Sequence, residues 1–171
     1  VMEGLMIDQE RQVDSKWNIF GRVNSGFSRY NTGSHVDLQS SSFITGASKY
    51  SNKTLLGAFL EAGWGDFNSY NQLSNWSDVN GCGHTRYFGG GLMARHHLNK
   101  GFYVDGVLRA GQVNTTFQTN DLLASQQLSR YKTDALYYGA QIGIGHKIML
   151  QHDIMLDLLT RYIYSHQAGN Q

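Results

Sequence analysis

The sequence has 171 residues, enough for one domain and marginal for two, and a net charge of +1. That charge excludes the basic footprint of a nucleic-acid binder, the single Cys82 excludes an internal disulfide, and no Cys/His set has zinc spacing. No window approaches the ~20 apolar residues of a membrane-spanning helix. Charged residues make up only 16%, against about 25% in an ordinary globular domain. Glycine is abundant at 20, proline is absent, and Tyr (10), Phe (8) and Trp (3) are plentiful. A membrane barrel has this profile: half of each strand faces water, so the mean hydropathy of −0.40 stays low. A soluble, glycine-rich β protein has it too.

The chain opens differently from the way it continues. Met2, Leu5, Met6 and Gln9 fall at helical spacing, and Glu3, Asp8, Glu10, Arg11 and Asp14 crowd the same stretch. Residues 2–14 are therefore predicted to form one short helix, within a linker segment 1–15 set apart from a β-domain over 16–171. No basic segment leads into an apolar run here, so an export signal is expected upstream of Val1.

From Lys16 the period becomes two. Seven strands are predicted, over roughly 16–30, 35–49, 54–70, 84–98, 102–117, 131–147 and 153–167. In the third, Leu56, Ala58, Leu60, Ala62 and Trp64 share one face, and Gly57, Phe59, Glu61, Gly63 and Gly65 the other. In the fourth, Phe88, Gly90, Leu92 and Ala94 oppose Tyr87, Gly89, Gly91, Met93 and Arg95. The fifth sets Val104, Gly106, Leu108 and Ala110 against Asp105, Val107, Arg109 and Gly111. The sixth sets Leu136, Tyr138, Ala140, Ile142 and Ile144 against Tyr137, Gly139, Gln141, Gly143 and Gly145. In the seventh, Leu156, Leu158, Tyr162 and Tyr164 oppose Asp157, Arg161 and Ser165.

The polar faces carry the candidate site. Glu61, Arg95, Asp105, Arg109, Asp157 and Arg161 all fall opposite the apolar stripe. A face turned to bulk water would be rich in Lys, Thr and Ser. This one mixes glycine with arginine and carboxylates, whose forked pairing suits a confined, partly wet interior. These six residues are expected to line a lumen and to pair with one another. Leu56, Leu60, Leu92, Leu108, Ile142 and Leu158 are expected on the outer, lipid-facing side. The connections agree. Those around Tyr50–Lys53, Asn99–Gly101 and Leu150–His152 are short, those over Asn71–Gly83 and Thr119–Arg130 are long and polar, and Asn31–Ser34 is intermediate. Outer-membrane barrels alternate short periplasmic turns with longer external loops. The fold class expected is all-β: an antiparallel up-and-down transmembrane β-barrel.

The run Gly101-Phe-Tyr-Val-Asp-Gly-Val-Leu-Arg-Ala-Gly111 resembles a strand of autotransporter (type V secretion) barrels, with a G-x-Y-x-D/E-G-x-x-R-x-G pattern. Thr85-Arg86-Tyr87-Phe88-Gly89-Gly90-Gly91, Tyr137-Tyr138-Gly139-Ala140 and Gly143-Ile144-Gly145 fit the same family, as does the order of a short helix followed by strands. The resemblance covers roughly residues 1–168. It implies an outer-membrane translocator domain, surrounded by lipid and lipopolysaccharide and completed by the barrel-assembly machinery. The helix would thread the lumen and join an upstream passenger to the first strand. Two departures stand out. Barrels of this family have roughly twelve strands, where seven are found here, and they end in a strand with a terminal aromatic residue. This sequence ends Gln167-Ala168-Gly169-Asn170-Gln171, so a C-terminal truncation is expected.

Other features are ordinary. His96 and His97 are adjacent in a strand, point to opposite faces and cannot chelate one metal. Cys82 and His84 lack partners, and Gly143-Ile-Gly145 lacks the helix of a dinucleotide fingerprint. Asn52-Lys-Thr54, Asn75-Trp-Ser77 and Asn114-Thr-Thr116 are glycosylation sequons without meaning in a bacterial protein. Some members of the resembled family cleave themselves when a luminal acid activates an asparagine of the threaded helix, but residues 2–14 contain no asparagine. No catalytic residue, cofactor or metal is expected. The rival from another class is a soluble β-sandwich or carbohydrate-binding module, whose apolar faces would have to meet one another.

Overall fold

A computed structural model describes residues 17–31, 35–71, 79–119, 129–150 and 155–168. The helix predicted over 2–14 lies outside them. The described residues form seven strands: β1 (Trp17–Asn31), β2 (His35–Ser51), β3 (Thr54–Asn71), β4 (Val79–His97), β5 (Phe102–Thr119), β6 (Ser129–Met149) and β7 (Met155–Ala168). They make one sheet in chain order, every neighbouring pair antiparallel. This is an up-and-down topology with no crossover.

The strands run 14–21 residues, far beyond the 5–6 of a usual globular strand. The period-two phase assigned from the sequence holds through the register. Leu56 pairs with Ala94, Ala94 with Gly106, Gly106 with Ile142 and Ile142 with Tyr162. Directly paired residues share a face, so this row crosses five strands on one side of the sheet. On that side Leu56, Leu60, Leu92, Leu108, Ile142 and Leu158 are each between 54% and 63% exposed. Residues on the opposite side are buried, among them Leu55, Met93, Arg95, Tyr103 and Asp105. Only curvature explains the asymmetry. The Tyr137 hydroxyl on β6 donates to Glu61 on β3, three strands away, at 2.8 Å. In a flat sheet those strands would lie about 14 Å apart. The sheet is curled, with its apolar face convex and outward.

The soluble-sandwich reading fails on this geometry. It needs the apolar stripes packed together in a core, and they lie exposed on the convex wall. The buried apolar cluster is instead on the concave side: Phe20, Ile44, Leu55, Phe59, Met93 and Val107, with Tyr50 packed against it. The inner face therefore holds an apolar patch as well as the expected polar groups. Glycine makes room for it. A Cβ at Gly91 would run into the Leu108 carbonyl and stand 2.6 Å from the Phe59 ring. Gly91→Ala should therefore destabilise the folded barrel by about 1–3 kcal/mol, the usual cost of overpacking, as read by urea unfolding in detergent micelles.

β4 begins at Val79, five residues before the predicted start at 84, and the connection before it occupies only 72–78. Asn80-Gly81-Cys82-Gly83 has the composition of a loop. Its two glycines instead lie in the strand beneath aromatic rings, because a Cβ at Gly81 would meet the Phe117 ring at 2.7 Å and one at Gly83 the Phe67 ring. Those two rings stack, centroids 5.9 Å apart.

The short connections are tight. Ser51 pairs with Thr54 across Asn52 and Lys53, whose φ angles are +50° and +66°. Two successive positive φ values define a type I′ hairpin turn, which suits the twist of the flanking strands. Lysine occupies that left-handed position at a cost of about 1 kcal/mol relative to glycine, so Lys53→Gly should stabilise the barrel by about that amount in the same unfolding assay. Between β4 and β5 the chain makes one 3₁₀ turn, Asn99–Gly101, closed by a bond from the Leu98 N–H to the Phe102 carbonyl at 2.7 Å.

Candidate functional site: the charged concave face

All six residues singled out from the sequence lie on the concave side. β3 supplies Glu61, β4 Arg95, β5 Asp105 and Arg109, and β7 Asp157 and Arg161. They fall into two groups.

In the first group Asp105 is the hub. Its Oδ2 accepts from Arg95 Nη2 at 3.0 Å and from Arg161 Nη2 at 2.9 Å. The Arg95 and Asp105 side chains are fully buried and Arg161 is partly buried. One carboxylate thus joins β4, β5 and β7. Tyr103 closes the group: its ring lies 4.5 Å beneath the Arg95 guanidinium and its hydroxyl donates to Asp157 Oδ1 at 2.8 Å. In the second group Glu61 accepts from the Tyr137 hydroxyl and stands 3.9 Å from Arg109, which is half exposed. A groove of about 300 Å³ connects the two groups, lined by Glu61, Val107, Arg109, Gln141 and Arg161.

Of the six, Asp105 is shared by Arg95 and Arg161, Glu61 stands beside Arg109, and Asp157 accepts from a tyrosine outside the set. The tyrosine partners, Tyr103 and Tyr137, are not among the six, because charge alone singles those out in the sequence. A signal was available. A Cβ at Gly145 would lie within the Tyr103 ring, and one at Gly111 would stand 2.6 Å from the Tyr137 hydroxyl. A tyrosine directly opposite a glycine on a luminal face can lie flat across it and aim its hydroxyl along the wall.

Beyond the apolar band, at the long-connection end, charges are paired on the open surface. Arg29 grips Asp37 with two bonds, 2.5 and 2.7 Å, which hold the carboxyl below its ordinary range. No group of three or more His, Cys, Asp or Glu residues able to hold a metal occurs among the described residues. No helix there is long and apolar enough to cross a membrane, which says nothing of strands.

An antiparallel up-and-down wall, apolar outside and charged inside, defines a transmembrane β-barrel. The autotransporter β-domain family model matches residues 18–170, nearly the whole chain. The chain belongs to that family, whose barrels reside in the bacterial outer membrane. Solved structures share its fold. The β-domain of the Bordetella autotransporter BrkA matches with a TM-score of 0.64 at 14% identity, over 90% of this chain and 58% of that one. The transport unit of AIDA-I from Escherichia coli gives 0.60 at 12%, over 94% and 56%. The translocator domain of NalP from Neisseria meningitidis gives 0.58 at 14%, over 97% and 57%. The chain thus spans somewhat over half the length of these relatives. No curated protein matches the sequence significantly.

Proposed function

We propose that this chain is part of a translocator barrel that anchors an upstream passenger in the outer membrane and helps export it by type V secretion. The observation that carries the reading is the two-sided wall: Leu56, Leu92, Leu108 and Ile142 exposed outward, Glu61, Asp105, Arg109 and Arg161 gathered inward. Strands that pair with both neighbours satisfy their backbone groups internally and can stand in hydrocarbon. The six charged residues would form a luminal polar network along a hydrophilic route, with Arg109 the most exposed of them. The role is transport, with no catalytic step. The partners this implies are the passenger, the barrel-assembly machinery and the surrounding lipid and lipopolysaccharide.

The test uses the full-length chain with an epitope in the passenger, expressed in a Gram-negative host. The epitope should be cleaved by protease added to intact cells, and the barrel should partition with outer membranes and migrate faster unheated than heated. Recovery in the soluble periplasmic fraction without detergent would sink the proposal.

A further inference from the structure

The apolar band on the convex wall stops abruptly on β4, β5 and β6. Phe88 and Leu136 flank Gln112 in its last row. The next row toward the long connections is Arg86, Asn114 and Asp134, then His84, Thr116 and Lys132, then Cys82, Gln118 and Arg130. These positions keep the parity of Phe88 and Leu136, so they too face outward. They border a surface groove of about 530 Å³. Arg86, Lys132 and Arg130 are exposed. Two acids lie close by: Asp134 stands 3.6 Å from Lys132, and Asp66 engages His84. Among the described residues neither Arg86 nor Arg130 forms an ion pair, and three cations against two acids leave the groove an excess of fixed positive charge.

Two guanidinium forks, an ammonium, two side-chain amides and a hydroxyl are a donor set for phosphate oxygens. The placement specifies more than a free anion. The cations begin one row above a band of exposed apolar side chains, where a lipid headgroup meets its chains. Arg86 on β4 and Lys132 and Arg130 on β6 stand on either side of β5 and over three rows, about 10 Å across and about 13 Å along the strands. One phosphate cannot span that; a headgroup with two can. We infer that this groove seats the doubly phosphorylated glycolipid headgroup of lipopolysaccharide, its acyl chains lying down the wall over Phe88, Leu92 and Leu108. The inference rests on the outer-membrane reading above and gives that membrane's outer leaflet a defined contact.

The test is native mass spectrometry of the full-length chain, folded and delipidated in detergent. The probes are bisphosphorylated lipid A, its dephosphorylated form, phosphatidylglycerol and, as competitor, inorganic phosphate. Bisphosphorylated lipid A should bind about tenfold more tightly than either other lipid, and millimolar phosphate should not displace it. The triple change Arg86→Gln, Arg130→Gln, Lys132→Gln should remove that preference, while Lys49→Gln, at the opposite end of the wall, should keep it. Equal binding of the dephosphorylated lipid or of phosphatidylglycerol, displacement by phosphate, or an undiminished preference in the triple variant would overturn the inference. If the triple variant does not fold, the three-lipid comparison on the unaltered chain decides. Failure of the outer-membrane reading looks different: the unaltered chain would not shift on heating or enter vesicles at all.

Discussion

Replacing Asp105 with alanine should cost about 3–5 kcal/mol of folding free energy, because it takes a carboxylate away from a buried guanidinium. Arg95 has no exposed side-chain surface, and it shares Asp105 Oδ2 with Arg161. The Tyr103 ring beneath Arg95 offers cation–π attraction of at most about 2 kcal/mol, which falls short of the loss. The effect also spreads through the fold, since one carboxylate ties together three strands. Arg109→Ala is the contrast. That side chain is half exposed and 3.9 Å from Glu61, so its loss should cost less than about 1 kcal/mol. Urea unfolding of the full-length chain in micelles, followed by the fast-migrating unheated band, should rank the two variants in that order. Equal costs would mean that the Asp105 group is solvated.

A polypeptide of these 171 residues alone should give no heat-modifiable barrel. Among the described residues β1 pairs only with β2 and β7 only with β6, so each leaves one row of backbone groups open there. In hydrocarbon every such group costs several kcal/mol, and a row of ~5–7 exceeds the ~5–15 kcal/mol that holds a domain together. In water the same edges are templates for aggregation. Neither β1 nor β7 contains proline, and β7 has Asp157 and Arg161 as its charged residues, both turned inward. Adding about five strands should restore a band that resists detergent until heated. A folded, heat-modifiable species from the 171 residues themselves would show that β1 and β7 can pair with each other.

Much of this architecture is legible in the sequence because a membrane strand cannot conceal its two faces. Leu56, Ala58 and Leu60 alternate with Gly57, Phe59 and Glu61, and no packing partner disturbs the phase. What stays hidden depends on register. Nothing near Asp105 in the chain reveals that Arg161 arrives from two strands away, or that Tyr137 reaches Glu61. The start of β4 was lost because Gly81 and Gly83 read as loop residues, when they are strand positions that accommodate Phe117 and Phe67. The concave apolar cluster was equally obscure: Phe59, Met93 and Val107 share a face with Glu61, Arg95 and Asp105, and only the curl decides which of them crowd together.

The central claim is that this wall faces lipid on one side and water on the other. The most direct measurement places single spin-labelled cysteines in the full-length chain, in a Cys82→Ser background reconstituted into bilayers. Labels at Leu56→Cys, Leu108→Cys and Ile142→Cys should be reached by dissolved oxygen and shielded from a water-soluble nickel chelate. Labels at Glu61→Cys and Arg109→Cys should show the reverse. If the first three are open to the chelate, or immobile and reached by neither probe, the convex face does not meet lipid and the barrel account is wrong.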